Sequence, residues 1–254
     1  MNQTSSGIYP NAVEIDQLTK KFTRHFRSSL KNTLLGRGGG QKESFTALSE
    51  VSFKVPHGQT LAIIGRNGSG KSTTLGLMAR VYRPTSGTIR LLNPGGAQAR
   101  VAPLLELGAG FHHELTGMEN IFFYSALLGM GPEEIEAKRN SIVEFAELKD
   151  KIDTTLLGWN EGAKLRLGFS IAIHTDPDIL LVDEVMAVGD EAFQNRCYRK
   201  IAELQEQQKT ILFVSHDLNV VERVANRVIW LNQGVIHRDG DVDSVLAEYR
   251  KVSE

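Results

Sequence analysis

The sequence predicts an α/β protein with a mostly parallel sheet, and three observations carry that prediction. Short apolar runs alternate with helical periodicity along the chain, the pattern that winds a parallel sheet. One run, Thr60–Ile64 (TLAII), is apolar throughout, as a strand covered on both faces must be. Finally, 254 residues with 41% apolar and 23% charged side chains suffice for one sizeable core, so a single domain with an inserted piece is expected over residues 1–254.

Taken in order, Val13–Ile15 and Val51–Val55 (VSFKV) alternate as half-buried strands do. Between them, Thr23–Phe45 holds Gly36, Gly38, Gly39 and Gly40 and reads as a flexible, irregular insertion. After Thr60–Ile64 comes a glycine-rich stretch, then a helical LGLMARVY segment (Leu75–Tyr82). Pro132, Glu133 and Glu134 suit the first turn of a helix, where proline lacks nothing and acids meet the positive end of the dipole. Ile179–Glu184 (ILLVDE) is an apolar strand ending in two acids. Phe193, Cys197, Ile201 and Leu204 recur at helical spacing, which makes Cys197 a core thiol rather than a nucleophile. Ile211–Val214 and Val228–Leu231 are further strands with a helical Asp217–Asn226 between them, and SVLAEYRK (Ser244–Lys251) is helical again. No internal repeat is visible.

Composition excludes several classes. Ile121–Met130 is an apolar stretch about half as long as the roughly 20 residues a bilayer-spanning helix needs. The N-terminus lacks a basic start followed by an apolar run, and one cysteine forbids an internal disulfide; both point to the cytosol. A net charge of −1 gives no global reason to bind nucleic acid. Between Asp16 and Glu43, however, Lys20, Lys21, Arg24, Arg27, Lys31, Arg37 and Lys42 occur with no acid among them. They form either a solvated loop or a surface for lipid headgroups or a charged cargo.

The strongest chemical signal is Gly65–Ser72 (GRNGSGKS), which fits G-x-x-x-x-G-K-[ST] between a strand and a helix. Chance would produce this pattern in about one chain in a hundred of this length. Gly65, Gly68 and Gly70, with Asn67, Ser69 and Thr73 around them, let backbone N–H groups turn inward on phosphate oxygens at a helix N-terminus. Lys71 supplies a point charge to the β and γ phosphates and Ser72 a hydroxyl for Mg²⁺. At the end of Ile179–Glu184, Asp183 is placed to hold Mg²⁺, and Glu184 to act as base toward a water. His216 follows a third strand at its carboxyl end; alone it would be as readily structural, but the order phosphate loop, Asp-Glu strand, His strand favours catalysis.

Together these elements resemble the ATP-binding cassette family over Val13–Arg250. LLELGAGFHHELTGMENI (Leu104–Ile121) and VDEVMAVGD (Val182–Asp190) resemble its branch for export of lipid-linked polysaccharides such as O-antigen, capsule and teichoic acid. The resemblance implies a P-loop NTPase fold with an antiparallel β part and a helical subdomain inserted at about residues 106–176. It also implies ATP and Mg²⁺ as ligands and a homodimer that sandwiches ATP. A separate integral membrane permease would dock near Phe111–Met118, with the polysaccharide cargo met only indirectly, at the cytoplasmic face of the membrane. Phe22, with Phe26 behind it, is the aromatic the family would stack on adenine, although plain core packing is open to both. Some relatives carry a C-terminal carbohydrate-binding domain; the chain reaches Glu254 with none expected.

Two positions depart from the family pattern. Glu106 stands nearest the usual magnesium-sensing glutamine, where a carboxylate can still ligate metal. The signature segment aligns with Trp159–Ala163 (WNEGA), so Asn160, Glu161 and Gly162 would face the partner subunit's nucleotide. Asn160 retains an amide donor. Glu161 would put a carboxylate about 5 Å from phosphate charge, costing about 3 kcal/mol per unit charge at an effective dielectric near 20; slower or weaker ATP-driven dimerisation is the expectation. His112, His113 and Glu114 suggest a metal cluster only weakly, since adjacent histidines diverge, and a docking surface suits them better. The competing functions are a soluble ATPase acting on ribosomes or DNA and a regulatory cassette not coupled to transport. Tandem cassettes and long coiled-coil insertions are missing, which counts against the first; Glu184 and His216 count against the second.

Overall fold

The structure is a computed structural model and describes residues 9–25, 42–105, 108, 110–183 and 190–253. Strands β1 (Asn11–His25) and β2 (Lys42–Pro56) pair antiparallel and are followed by β3 (Thr60–Ile64), helix α1 (Lys71–Met78), β4 (Ser86–Leu91) and β5 (Val101–Leu104). Helices α2 (Gly117–Leu127), α3 (Pro132–Ala146) and α4 (Glu161–His174), with a 3-10 turn at Leu156–Gly158, precede β6 (Ile179–Asp183). The chain continues as α5 (Glu191–Glu206), β7 (Thr210–Val214), α6 (Leu218–Val224), β8 (Arg227–Asn232), β9 (Val235–Gly240) and α7 (Val242–Ser253).

The strands form two sheets, one antiparallel in the order β2-β1-β4 and one of six strands in the order β5-β6-β7-β3-β8-β9. The larger is parallel apart from β9, which returns antiparallel on β8. β3 lies inside it between β7 and β8 with all five residues buried, which is why TLAII has no polar alternation. Its side chains alternate between two cores. Leu61 and Ile63 face the antiparallel sheet and α1, packing with Leu18, Val51, Phe53 and Leu75. Ala62 and Ile64 face the helices, packing with Phe169 of α4, Phe193 and Cys197 of α5 and Leu246 of α7. Burial pushes the Cys197 thiol up to about 12, consistent with a core thiol rather than a nucleophile.

A third core, with Ile121, Ile135, Ile142, Trp159 and Leu167 at its centre, joins α2, α3 and the first half of α4. Pro132 is the first residue of α3, with Glu133 and Glu134 in its first turn as expected. One side chain clamps this helical unit to the sheet: Arg100, just before β5. Its Nη1 donates to Thr175 O at 2.6 Å and Glu134 Oε1 at 2.9 Å, its Nη2 to Gly129 O at 3.3 Å, and its backbone N–H to Asp178 Oδ2 at 2.8 Å.

Three sequence expectations need correction. Thr23–His25 and Lys42–Phe45 are not irregular; they continue the antiparallel pair, with Phe22 opposite Phe45 and Lys21 opposite Thr46. Cross-strand pairing of aromatic and β-branched residues supplies the strand preference that the short local pattern hid. Residues 26–41, with Phe26, the glycines Gly36 and Gly38–Gly40, and the bases Arg27, Lys31 and Arg37, lie outside the described residues. The helix after the glycine-rich loop stops at Met78, because Arg80 takes a left-handed φ of 61°. Finally, α6 is shorter than Asp217–Asn226: Asp217 is its N-cap, accepting from Asn219 N–H at 2.9 Å, and the helix ends at Val224.

Candidate nucleotide site

At the carboxyl end of β3 the chain must turn sharply into α1, and glycine makes the turn feasible. Gly65 has a φ of 145°, and a Cβ there would lie 2.2 Å from Leu231 O; Gly70, at a φ of 107°, is the N-cap of α1. The loop is fixed from outside: Gly234 N–H, in the β8–β9 turn, donates to Ser69 O at 3.0 Å, and Ser49 N–H of β2 donates to Gly234 O at 2.9 Å. With the loop immobilised, the first N–H groups of α1 point outward without intrahelical acceptors.

Lys71 is buried and its Nζ donates to Gly65 O at 2.8 Å and Arg66 O at 3.1 Å, so the ammonium folds back over the loop it serves. Ser69 Oγ is buried without a hydrogen-bond partner. A cavity of about 500 Å³ opens beside them, lined by Asn67, Gly68, Gly70, Lys71, Ser72, Thr73, Asp183, Phe45, Ala47 and Leu105. Its size is that of a small-molecule site. The chemistry fits a polyphosphate: among the described lining residues are a buried cation, the hydroxyls of Ser72 and Thr73 beside the orphan N–H donors of α1, and the Asp183 carboxylate, suited to a divalent cation.

Asp183 ends β6 opposite Val214 of β7. His216 is exposed two residues beyond β7. Glu184 and Glu106 lie outside the described residues. Phe22 meets Tyr82 edge-on at 5.3 Å with Lys20 Nζ 4.7 Å from its ring, and it is Phe45, its cross-strand partner, that lines the cavity. Sequence reasoning missed Phe45, because its place at the cavity depends on its pairing with Phe22, 23 positions earlier in the chain. It also missed a second, apolar cavity of about 240 Å³. That cavity shares Ser72, Leu105 and Asp183 with the first and runs between Val81, Tyr82, Pro103 and Tyr124, toward the helical unit.

The WNEGA segment forms the start of α4. Asn160 is the N-cap, its Oδ1 accepting from Ala163 N–H at 2.9 Å, so only its Nδ2 is left to donate outward. Glu161 is 81% exposed and pairs at 2.9 Å with Nζ of Lys164, whose side chain is only 10% exposed. Gly162 completes the first turn. On α2, Thr116 and Glu119 form a reciprocal capping box, and burial raises the Tyr124 hydroxyl above its ordinary range. Asn120, wholly buried, binds the loop before the helix: its Oδ1 accepts from His112 N–H at 2.9 Å while Nδ2 donates to His112 O, Leu115 O and Thr116 O. The T-x-x-E spacing of Thr116 and Glu119 was the available sequence signal for this helix start.

Comparison with known proteins places this geometry. The ABC transporter family profile matches residues 48–187, more than half of the chain. The chain is 43% identical over 207 residues to the O-antigen export system ATP-binding protein RfbB of Klebsiella pneumoniae, covering 82% of each protein. It is 37% identical to the teichoic acids export ATP-binding protein TagH of Bacillus cereus over 94% of this chain, which spans 42% of that relative. Among solved structures it resembles a dimeric ATP-binding cassette in a post-hydrolysis state bound to ADP and Pi, with a TM-score of 0.70 at 22% identity over 91% of this chain and 98% of that one. It also resembles the ATP-binding subunit of an ABC transporter, with a TM-score of 0.74 at 20% identity over 94% and 93%. The chain therefore belongs to the ABC transporter family, as an ATP-binding cassette ATPase.

Proposed function

We propose that the chain is the ATP-hydrolysing subunit of an exporter that moves a lipid-linked polysaccharide of O-antigen, capsule or teichoic acid type. It works as a homodimer with a separate membrane permease, at the cytoplasmic face of the membrane. The observation that carries the reading is the 43% identity, across 82% of both chains, to an O-antigen export ATP-binding protein. Among the described residues no helix is long and apolar enough to cross a membrane, in keeping with a permease on another chain.

In this reading residues 1–254 act as one nucleotide-binding domain, with the helical unit between β5 and β6 as its subdomain. Gly65, Asn67, Gly68, Ser69, Gly70 and Thr73 cradle the phosphates, and Lys71 exchanges its two carbonyl partners for phosphate oxygens. Phe45 and Phe22 supply the aromatic wall for adenine, Phe45 on the cavity and Phe22 behind it. A bound Mg²⁺ would neutralise phosphate charge; Ser72 and Asp183 would hold it, with Glu106 as a further oxygen ligand. Glu184 takes the proton from the attacking water and His216 steadies the γ-phosphate from the neighbouring strand. Asn160, Glu161 and Gly162 of the partner copy close the site. The permease seats near Phe111–Met118, where Asn120 holds the loop rigid, and on the exposed apolar side chains Val81 and Leu127 beside it.

The test is steady-state ATP hydrolysis by the purified chain with Mg²⁺, beside Glu184→Gln, with oligomeric state followed by light scattering. Loss of turnover in the variant together with an ATP-dependent dimer is the expected result. Turnover unaffected by Glu184→Gln would remove the general-base assignment. Absence of both turnover and ATP-dependent dimer, even after reconstitution with the permease, would remove the motor itself.

A further inference from the structure

One side chain, Tyr82, touches both the phosphate-loop helix and the aromatic pair carried by β1 and β2. After α1 the chain turns back at Arg80, and the N–H groups of Val81 and Tyr82 both donate to Gly76 O, at 2.9 and 3.2 Å. The Tyr82 ring lies so close to Gly76 that a Cβ there would come within 2.8 Å of two of its carbons. Gly76 follows Ser72 by one helical turn, so the ring rests on the face of α1 that carries the Mg²⁺-binding hydroxyl. The same ring meets Phe22 of β1 at 5.3 Å between centres and 87° between planes, an edge-to-face contact. Phe22 is the cross-strand partner of Phe45, which lines the nucleotide cavity, and residues so paired stand on one face of the sheet. Three hydrogen bonds fasten the loop after Tyr82 to β1: Lys20 Nζ to Arg83 O at 2.9 Å, Lys21 N–H to Thr85 Oγ1 at 2.9 Å and Thr85 N–H to Thr19 O at 2.8 Å. Lys20 Nζ also sits 4.7 Å from the Phe22 ring centre and 5.8 Å from that of Tyr82, which ties the two rings together from one charge.

We propose that Tyr82 is a positioning residue for the nucleotide base: seated on Gly76 and against Phe22, its ring sets the separation between the phosphate loop and the aromatic wall of Phe22 and Phe45. The inference rests on the ATPase reading above, in which that wall receives adenine. A nucleotide gripped at its phosphates by the start of α1 can reach the wall only where the wall stands at the matching distance, and a rigid ring holds that distance at little entropic cost. Glycine at 76 is part of the device, since a residue without a Cβ lets the ring approach the helix backbone. Phenylalanine can take the place of Tyr82, because both contacts are made by the ring.

The test uses the full chain and reads the Kd for ADP with Mg²⁺ by titration calorimetry, so that hydrolysis does not intervene. Tyr82 is 39% exposed and belongs to none of the three cores, so Tyr82→Ala spares the fold. Its Kd is expected to rise about tenfold, and Tyr82→Phe, which keeps the ring, to restore the affinity. Gly76→Ala favours the helix and keeps the tyrosine but tilts its ring, and should raise Kd about threefold. Because Tyr82 acts through Phe22, adding Tyr82→Ala to Phe22→Ala should change Kd by less than about twofold, whereas a general loosening of the site would multiply the two losses. Unchanged Kd in Tyr82→Ala, or the full tenfold loss repeated in the Phe22→Ala background, would overturn the proposal. Failure of the parent chain to bind ADP would remove the ATPase reading and this inference with it; parent-like binding by Tyr82→Ala removes this inference alone.

Discussion

Glu161 and Lys164 share one ion pair but not one environment, the Glu161 side chain being 81% exposed and that of Lys164 10%. The partnership changes what Glu161 means. A bare carboxylate facing phosphate would be strongly repelled, whereas one paired three residues along its own helix carries a compensated charge. Lys164→Met, which keeps the buried stem and removes the ammonium, should therefore weaken ATP-driven dimerisation about tenfold. Glu161→Gln should shift it by less than about threefold, both measured as dimer dissociation constants by light scattering at saturating ATP. A hundredfold gain in Glu161→Gln would mean that Lys164 offers no compensation. The phosphate-loop residues were legible in the sequence because a tight turn places its demands on consecutive residues. The partner of Glu161 was only half legible: helical spacing announces the pair, but the burial of Lys164 comes from packing that no local pattern encodes.

Among the elements, α2 depends most on a single side chain. Asn120 binds one N–H and three carbonyls of the loop 112–116 with one amide. Asn120→Ala should cost about 1–3 kcal/mol in urea denaturation, since His112 N–H loses its acceptor while the three carbonyls keep their backbone donors. A loss below about 1 kcal/mol would show that water reaches the loop and replaces the amide. Element order was legible wherever composition changes sharply: the continuous TLAII strand, the proline-led α3 and the apolar stripe of α5 all stand where the sequence put them. What was hidden is the extent of β1 and β2, because glycine and basic residues between two strands look alike whether the strands stop early or run on. The Phe22–Phe45 pairing decides it, and pairing is not a property of either segment alone.

At the scale of the whole molecule, stability should decline in two stages as pH falls. His57 and His174 lie below the ordinary imidazole range, in both cases chiefly because burial disfavours the charged ring. The unfolded chain therefore takes up those protons first, and stability is lost as pH drops below about 6.5. Asp176, held by Lys209, and Asp190, held by Phe193 N–H and Arg166, are depressed below the carboxylate range. Their contribution is present above the unfolded value near 4 and is lost on further acidification through the folded values. Urea denaturation between about pH 2 and 8 should show both stages, and His174→Gln should shrink the first. A profile flat down to about pH 5 in the parent chain would contradict the histidine assignment.

The Arg100 clamp also fixes how the two halves of the domain can move. It grips Thr175, the residue that ends α4, at the edge of the sheet where β5 and β6 begin, while the first turn of α4 lies at the helix's other end. A helix of 14 residues is about 21 Å long, so a rotation of about 10° about that grip swings Asn160 through roughly 4 Å and leaves Thr175 almost still. The helical unit is thus a lever with its fulcrum at Arg100. In the homodimer proposed above, the longest arm would end at the turn facing the partner's phosphates, and small angular changes around the nucleotide would become ångström-scale travel at the dimer seam.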